Sequence, residues 1–160
     1  MKVVLFTRRN VGMYCLSYLV ALGHEVSLVS DDKNVLWLGE RLGCKITTME
    51  EIEDYDLLVS IHWHKIIPEM YLKQNQAINI HPCLYLYPGK NPISQYIENK
   101  DKKGSVESHY MIKEVDAGEV IHQEFFPTPI CNDFASFYNI ALPFYFKNLD
   151  ATLNKIINAK

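Results

Sequence analysis

The sequence predicts an α/β fold, a mostly parallel sheet with helices on both faces, followed by an antiparallel strand pair and a long C-terminal helix. Three observations carry this prediction. Short β-branched runs alternate with amphipathic stretches through residues 2–80, the spacing at which parallel strands and crossover helices follow one another. Residues 105–126 then change to a period of two around a short connection, which suits an antiparallel pair. From Asn132 or Asp133 to Ile157 the period is helical.

Each element has a local reason. Lys2–Thr7 (KVVLFT) is a buried strand, and Asn10 is placed to cap a helix with Val11, Tyr14, Cys15, Tyr18, Leu19 and Leu22 on one face, ending at Gly23. Glu25–Ser30 is the second strand, and Asp32 or Asn34 opens a helix through Leu36, Leu38, Leu42 and Gly43. Lys45–Thr47 is a short third strand and Asp56–His62 (DLLVSIH) a central one. Ile66–Leu72 reads as a brief helix with Pro68 near its first turn, and Ala77–Ile80 as a strand running into His81-Pro82. Ser105–Ile112 sets Val106, Ser108, Tyr110 and Ile112 against Glu107, His109 and Met111, and Val120–Phe126 is its partner. The last helix carries Phe134, Phe137, Tyr138, Ala141, Leu142, Tyr145, Leu149, Leu153 and Ile156 on one stripe. Pro143 within it removes a hydrogen bond and is expected to kink or split it.

The 160 residues are expected to form a single domain over the whole chain. With 48% hydrophobic and 22% charged residues, disordered and coiled-coil classes are excluded. A net charge of -3 lacks the basic excess of a nucleic-acid binder, so no nucleic-acid partner is expected. The apolar stretches are interrupted well before the ~20 residues of a membrane span, so no membrane partner is expected either. Four cysteines without CxxC spacing and no signal peptide are read as reduced thiols of a cytoplasmic protein.

In an open α/β sheet, ligands bind beyond the carboxyl ends of the strands. After the first strand come Arg8, Arg9 and Asn10 at a helix start, a place that favours a phosphate or carboxylate. Only Gly12 stands where a dinucleotide fingerprint requires three glycines. After the central strand, His62 and His64 flank Trp63, and on an extended chain they face the same way, able to share a metal with His81 or Asp116. At the end of the next strand, Asn79 and His81 are likewise two apart, an amide beside an imidazole. Asp116, in the short connection between the two later strands, is the leading carboxylate to orient that imidazole. Such a set fits acyl transfer to an amine, in which donors hold the oxyanion while a base removes a proton.

The blocks Asn79-Ile80-His81-Pro82, Pro88-Gly89-Lys90-Asn91-Pro92-Ile93, Val106-Glu107-Ser108-His109-Tyr110-Met111 and Val115-Asp116-Ala117-Gly118-Glu119-Val120-Ile121 together resemble the folate-dependent formyltransferase family. That family includes the glycinamide ribonucleotide, methionyl-tRNA and nucleotide-sugar N-formyltransferases. DLLVSIHWHKIIPEMYL is also similar to the strand and short helix that precede the catalytic asparagine there, so the likeness runs from about residue 56 to 126. The resemblance implies a Rossmann-like sheet. It implies that Asn79 holds the formyl oxygen, that His81 stabilises the oxyanion and moves a proton, and that Asp116 governs proton movement and the state of the histidine. The donor implied is 10-formyltetrahydrofolate, its pterin held between the loop at His62, Trp63, His64 and Ile66 and the turn at Val115 and Gly118. Arg8, Arg9 and Asn10 would face an anionic acceptor amine, with Lys90 and Asn91 assigned to the same substrate; no metal is implied.

Two departures stand out. Glu107 occupies a position where the family usually carries threonine, and Cys83-Leu84-Tyr85-Leu86-Tyr87 replaces the usual loop after His-Pro, with Tyr85 and Tyr87 available to stack on a base or sugar. The length of the chain, without an appended tRNA-binding module, points to a small acceptor, an amino sugar on a nucleotide. Phe134, Phe137, Tyr138, Phe144, Tyr145 and Phe146 exceed one stripe, which allows a homodimer contact. Two other readings stay open, a folate- or nucleotide-binding module without turnover and a zinc hydrolase built on His62, His64 and His81.

Overall fold

The computed structural model describes residues 1–72, 76–128 and 131–158. It contains two compact units, Met1–Asn79 and Ile80–Lys160. The first is built from β1 (Lys2–Thr7), α1 (Arg9–Ala21), β2 (Glu25–Val29), α2 (Lys33–Arg41), β3 (Lys45–Ile46), β4 (Leu57–Ile61) and the opening residues of β5 (Ala77–Pro82), in the strand order β3-β2-β1-β4-β5. The pairings of β1 with β2 and β4, and of β2 with β3, are parallel. Buried on both faces, β1 and β4 read as near-continuous apolar runs. The register sets Phe6 against Val29 and Thr7 against Ile61. The carboxyl ends of three strands therefore finish level, and the residues that follow them emerge along one edge.

The second unit holds the end of β5, α3 (Pro92–Glu98), β6 (Lys103–Tyr110), β7 (Val120–Pro127) and α4 (Phe134–Asn158). Here the strand order is β5-β6-β7, with β6 and β7 antiparallel and a register shift at Ser108/His109. Asn148 of α4 donates from its side-chain amide to the carbonyls of Val106 (2.9 Å) and His122 (3.1 Å). The Ser108 and Thr152 hydroxyls meet at 2.6 Å, so α4 supplies polar partners where the bulge disturbs the ladder.

The expected fold class is observed, a mostly parallel seven-stranded sheet with an antiparallel C-terminal pair and a long last helix. Several elements differ from expectation. Helix α1 starts at Arg9 and Asn10 lies inside it; its first N–H is met instead by Asp32 Oδ2 at 3.0 Å. The stretch Ile66–Leu72 forms only a single 3₁₀ turn at Glu69–Tyr71, opened by Pro68, because the residue before a proline avoids helical geometry. Helix α3 was not anticipated, although Pro92 at its first position is a helix-start signal. Helix α4 runs through Pro143 as one helix rather than splitting. The four cysteines are free thiols, and burial pushes Cys15 and Cys83 up to about 12.

Candidate active site

In the second unit the end of β5 delivers His81, 8% exposed, into a polar cluster. Its Nε2 lies 3.2 Å from the carbonyl oxygen of Gly89 and 3.3 Å from Asp116 Oδ2. Both neighbours accept, so this nitrogen carries the proton. Asp116 belongs to the connection between β6 and β7, where a backbone φ of +56° suits a tight turn and is a conformation that Asp tolerates better than most residues. Its Oδ2 accepts the Gly89 N–H at 2.8 Å and its Oδ1 faces His109 Nε2 at 3.4 Å. The other ring nitrogen of His109 lies 2.9 Å from the Tyr110 carbonyl oxygen.

This wiring sets the charge states. Burial alone would push the His81 pKa down, but the hydrogen bond and negative charge of Asp116, with the Gly89 carbonyl, raise it above 6.5. Burial would raise the Asp116 pKa; hydrogen bonds from His109 and His81 and the charge of His81 override it and hold the carboxyl well below the usual carboxylate range. The pair is therefore an ionised carboxylate against a proton-bearing imidazole. Asn79 stands half-buried on β5, two residues before His81 and so on the same strand face. A proton-bearing imidazole and a fixed carboxylate can polarise a carbonyl oxygen and take part in proton transfer.

Val115 is 61% exposed beside Asp116. Gly118 has a packing reason: a Cβ there would collide with the Tyr110 carbonyl oxygen that His109 uses. Lys90 and Asn91 are exposed directly after Gly89, and Asn91 (φ +59°) begins α3. Tyr85 and Tyr87 are tethered. The Tyr85 hydroxyl donates to the Lys103 carbonyl at 2.6 Å and its ring meets Phe125 edge-on, while the Tyr87 hydroxyl bonds the Asp101 carboxylate.

In the first unit the predicted residues gather on one acid that sequence reasoning passed over. Asp31, just beyond β2, lies 2.7 Å from Arg8, 3.4 Å from Lys65 and 3.5 Å from His64. Slight burial works against the Asp31 charge, but Arg8, His64 and Lys65 lower its pKa. Arg8 thus has an internal counter-charge, and Arg9 and Asn10 are exposed in the first turn of α1. His62 has φ +57°, so His62-Trp63-His64 is not the extended chain that a shared metal required. Among the described residues no group of three or more His, Cys, Asp or Glu side chains is placed to hold a metal. Trp63 packs edge-on against Phe6 (5.5 Å) and His64 (5.4 Å), its buried indole N–H has no hydrogen-bond partner among the described residues, and Ile66 is 70% exposed nearby in the chain.

The residues that sequence reasoning missed, Asp31, Gly89 and His109, act through contacts made by chain closure. Gly89 and His109 had a signal in their places in the family-like blocks at 88–93 and 106–111, whereas Asp31 had none.

Comparison with known proteins adds three findings. Residues 35–139 match the family model described as formyl transferase. Over 85 residues the chain is 38% identical to phosphoribosylglycinamide formyltransferase of Dictyostelium discoideum, covering 46% of this chain and 41% of that protein, so the match spans less than half of the relative. The fold is that of phosphoribosylglycinamide formyltransferase from Bacillus halodurans (TM-score 0.82, 18% identity, 98% of this chain and 95% of that one). It is likewise that of the N-formyltransferase from Helicobacter canadensis, solved with folinic acid and dTDP-3-aminofucose (TM-score 0.81, 20% identity, 99% and 65%).

Proposed function

The chain belongs to the formyl transferase family, and from that premise we propose that it transfers a formyl group from 10-formyltetrahydrofolate to the amine of a small phosphorylated or nucleotide-linked acceptor, an amino sugar. The observation that carries the reading is the His81–Asp116 pair, closed by Gly89 and His109, with His81 two residues past Asn79 on the same strand face.

In this reading the acceptor amine attacks the formyl carbon, the carbonyl oxygen becomes an oxyanion, and collapse breaks the bond to N10 of the folate, releasing tetrahydrofolate and a formamide. Asn79 donates to the developing oxyanion and His81, kept protonated by Asp116, stabilises it beside the amide. The Asp116–His81 pair relays the proton lost by the amine towards the departing N10. The residues of the first unit fit a folate: Trp63 offers a buried N–H without a partner and Ile66 an exposed apolar side chain, which suits a flat, polar-edged ring. His62 and His64 are assigned to the donor with them, as are Val115 and Gly118. Arg9, Asn10, Lys90 and Asn91 are assigned to the acceptor; Arg8 reaches it only by giving up part of its pairing with Asp31. The acceptor class is supported by the dTDP-3-aminofucose carried by the Helicobacter protein.

The test is transfer from 10-formyltetrahydrofolate to a panel of nucleotide-linked amino sugars, with glycinamide ribonucleotide and methionyl-tRNA as competing acceptors. Asn79→Ala, His81→Ala and Asp116→Asn are each expected to lower kcat/KM by about 100-fold or more while leaving the fold intact. Unchanged turnover in all three, or no product from any acceptor, sinks the proposal; product only from glycinamide ribonucleotide or tRNA keeps the reaction and replaces the acceptor.

A further inference from the structure

Glu107 lies in the middle of β6 with no exposed surface. Its Oε2 accepts the Leu84 N–H at 3.0 Å, and its Oε1 accepts the Ser105 hydroxyl (2.7 Å), the Gln123 side-chain amide (3.0 Å) and the Tyr85 N–H (3.3 Å). A carboxyl group so deeply buried is costly unless donors surround it, and here both oxygens are used. A strand needs no acid at that place for pairing; what the acid adds is a grip on two backbone donors outside the strand.

Those donors belong to the segment that leaves β5 directly after His81. Cys83, at φ +52°, turns the chain and donates its N–H to the Ser105 carbonyl at 3.0 Å. The N–H groups of Leu86 and Tyr87 both fold back on the Cys83 carbonyl, at 3.1 and 2.9 Å. The segment then ends at Gly89, whose N–H donates to Asp116 Oδ2 and whose carbonyl faces His81 Nε2. One end of the segment is gripped by Glu107 and the other closes the reactive pair.

We propose that Glu107 is a positioning residue, which by gripping the Leu84 and Tyr85 N–H groups sets the 83–89 segment so that Gly89 bridges Asp116 and His81. This rests on the reading of His81 and Asp116 as the transfer site. Glutamine at the position keeps the volume but turns an NH2 group towards donors, leaving at least one of them unmatched.

The decisive experiment is Glu107→Gln in the full chain, followed by NMR and kinetics. Amide exchange at Leu84 and Tyr85 is expected to quicken by roughly tenfold or more, and the Gly89 amide proton to move as its bond to Asp116 loosens. The kcat is expected to fall about tenfold with KM for the folate donor nearly unchanged, since the segment acts on the transfer step and not on the donor. A Gly89 signal identical to the parent, or unchanged protection at Leu84 and Tyr85, overturns the proposal. Should Glu107→Gln fail to fold, Ser105→Ala takes its place, removing one donor from Oε1, with the same changes expected at smaller amplitude and an unmoved Gly89 signal again overturning it. A parent chain with no transfer activity defeats the proposed reaction, while the two NMR readouts still decide the role of Glu107.

Discussion

Asp116 gathers three donors, from Gly89, His81 and His109, and its charge is what keeps His81 protonated against the cost of burial. Replacing it by asparagine removes the charge and leaves burial as the dominant influence, so the His81 titration midpoint is expected to drop below 6.5, read from its ring signals in NMR. The same variant leaves donors unmatched and is expected to lose roughly 1–3 kcal/mol of stability in denaturant titration. A midpoint that stays above 6.5 would show that Gly89, not Asp116, holds the proton. Gly118→Ala makes a second test at this scale, because its methyl group would push the Tyr110 carbonyl away from His109. It is expected to cost about 1–3 kcal/mol and to reduce transfer, both measurable beside the parent chain. Asn79, His81 and Asp116 could be singled out as candidates because their residue types and spacing are local to a strand end and a turn, and the structure brings His81 and Asp116 into contact. Asp31, Gly89, His109 and the grip of Glu107 could not, because each acts only once segments distant in sequence have closed on one another.

The elements show where local pattern suffices and where packing overrides it. Alternation in β6 predicts one buried and one exposed face, yet residues 104–109 are all buried. Helix α4 covers one face through Asn148 and Thr152, and the 83–89 segment covers Glu107 on the other. Period-two patterning reveals that a strand exists, not how many of its sides are covered. Helix starts follow a similar logic. The sequence offered Asp32 or Asn34 as the start of α2, and the structure caps the helix with Asp32, which accepts from Asn34 and Val35; its second oxygen also takes the first N–H of α1, a contact that no reading of one helix alone would find. A single cap is worth about 1 kcal/mol, so Asp32→Ala, which opens two helix starts, is expected to cost roughly 2 kcal/mol. A loss no larger than that of an ordinary cap, measured by chemical denaturation, would mean that the contact with α1 contributes nothing.

At the scale of the whole molecule, the titrating groups divide unequally between acid and base. Asp31, Asp116 and Asp133 all have pKa values below the ordinary 3.8, so each contributes stability that is complete above that pH and is lost as the pH falls through its folded value. His24 works in the same direction. Burial, then the nearby N-terminal ammonium, hold it below 6.5, and its contribution is complete above 6.5 and fades on acidification. His81 runs the other way, for its raised pKa gives a contribution complete below 6.5 that is lost as the pH rises through the folded value. Stability is therefore expected to rise from about pH 4 to 6.5 as His24 sheds its proton, to decline gently through the neutral range as His81 loses its own, and to collapse steeply below pH 4, where several carboxylates act together. Denaturant titrations between pH 3 and 9 give the profile. In Asp116→Asn both flanks are expected to flatten, the acid side through the missing carboxylate and the neutral side through a His81 that no longer gains from being charged. A variant that flattened only the acid side would separate the two residues energetically and would show that the imidazole owes its proton to other neighbours.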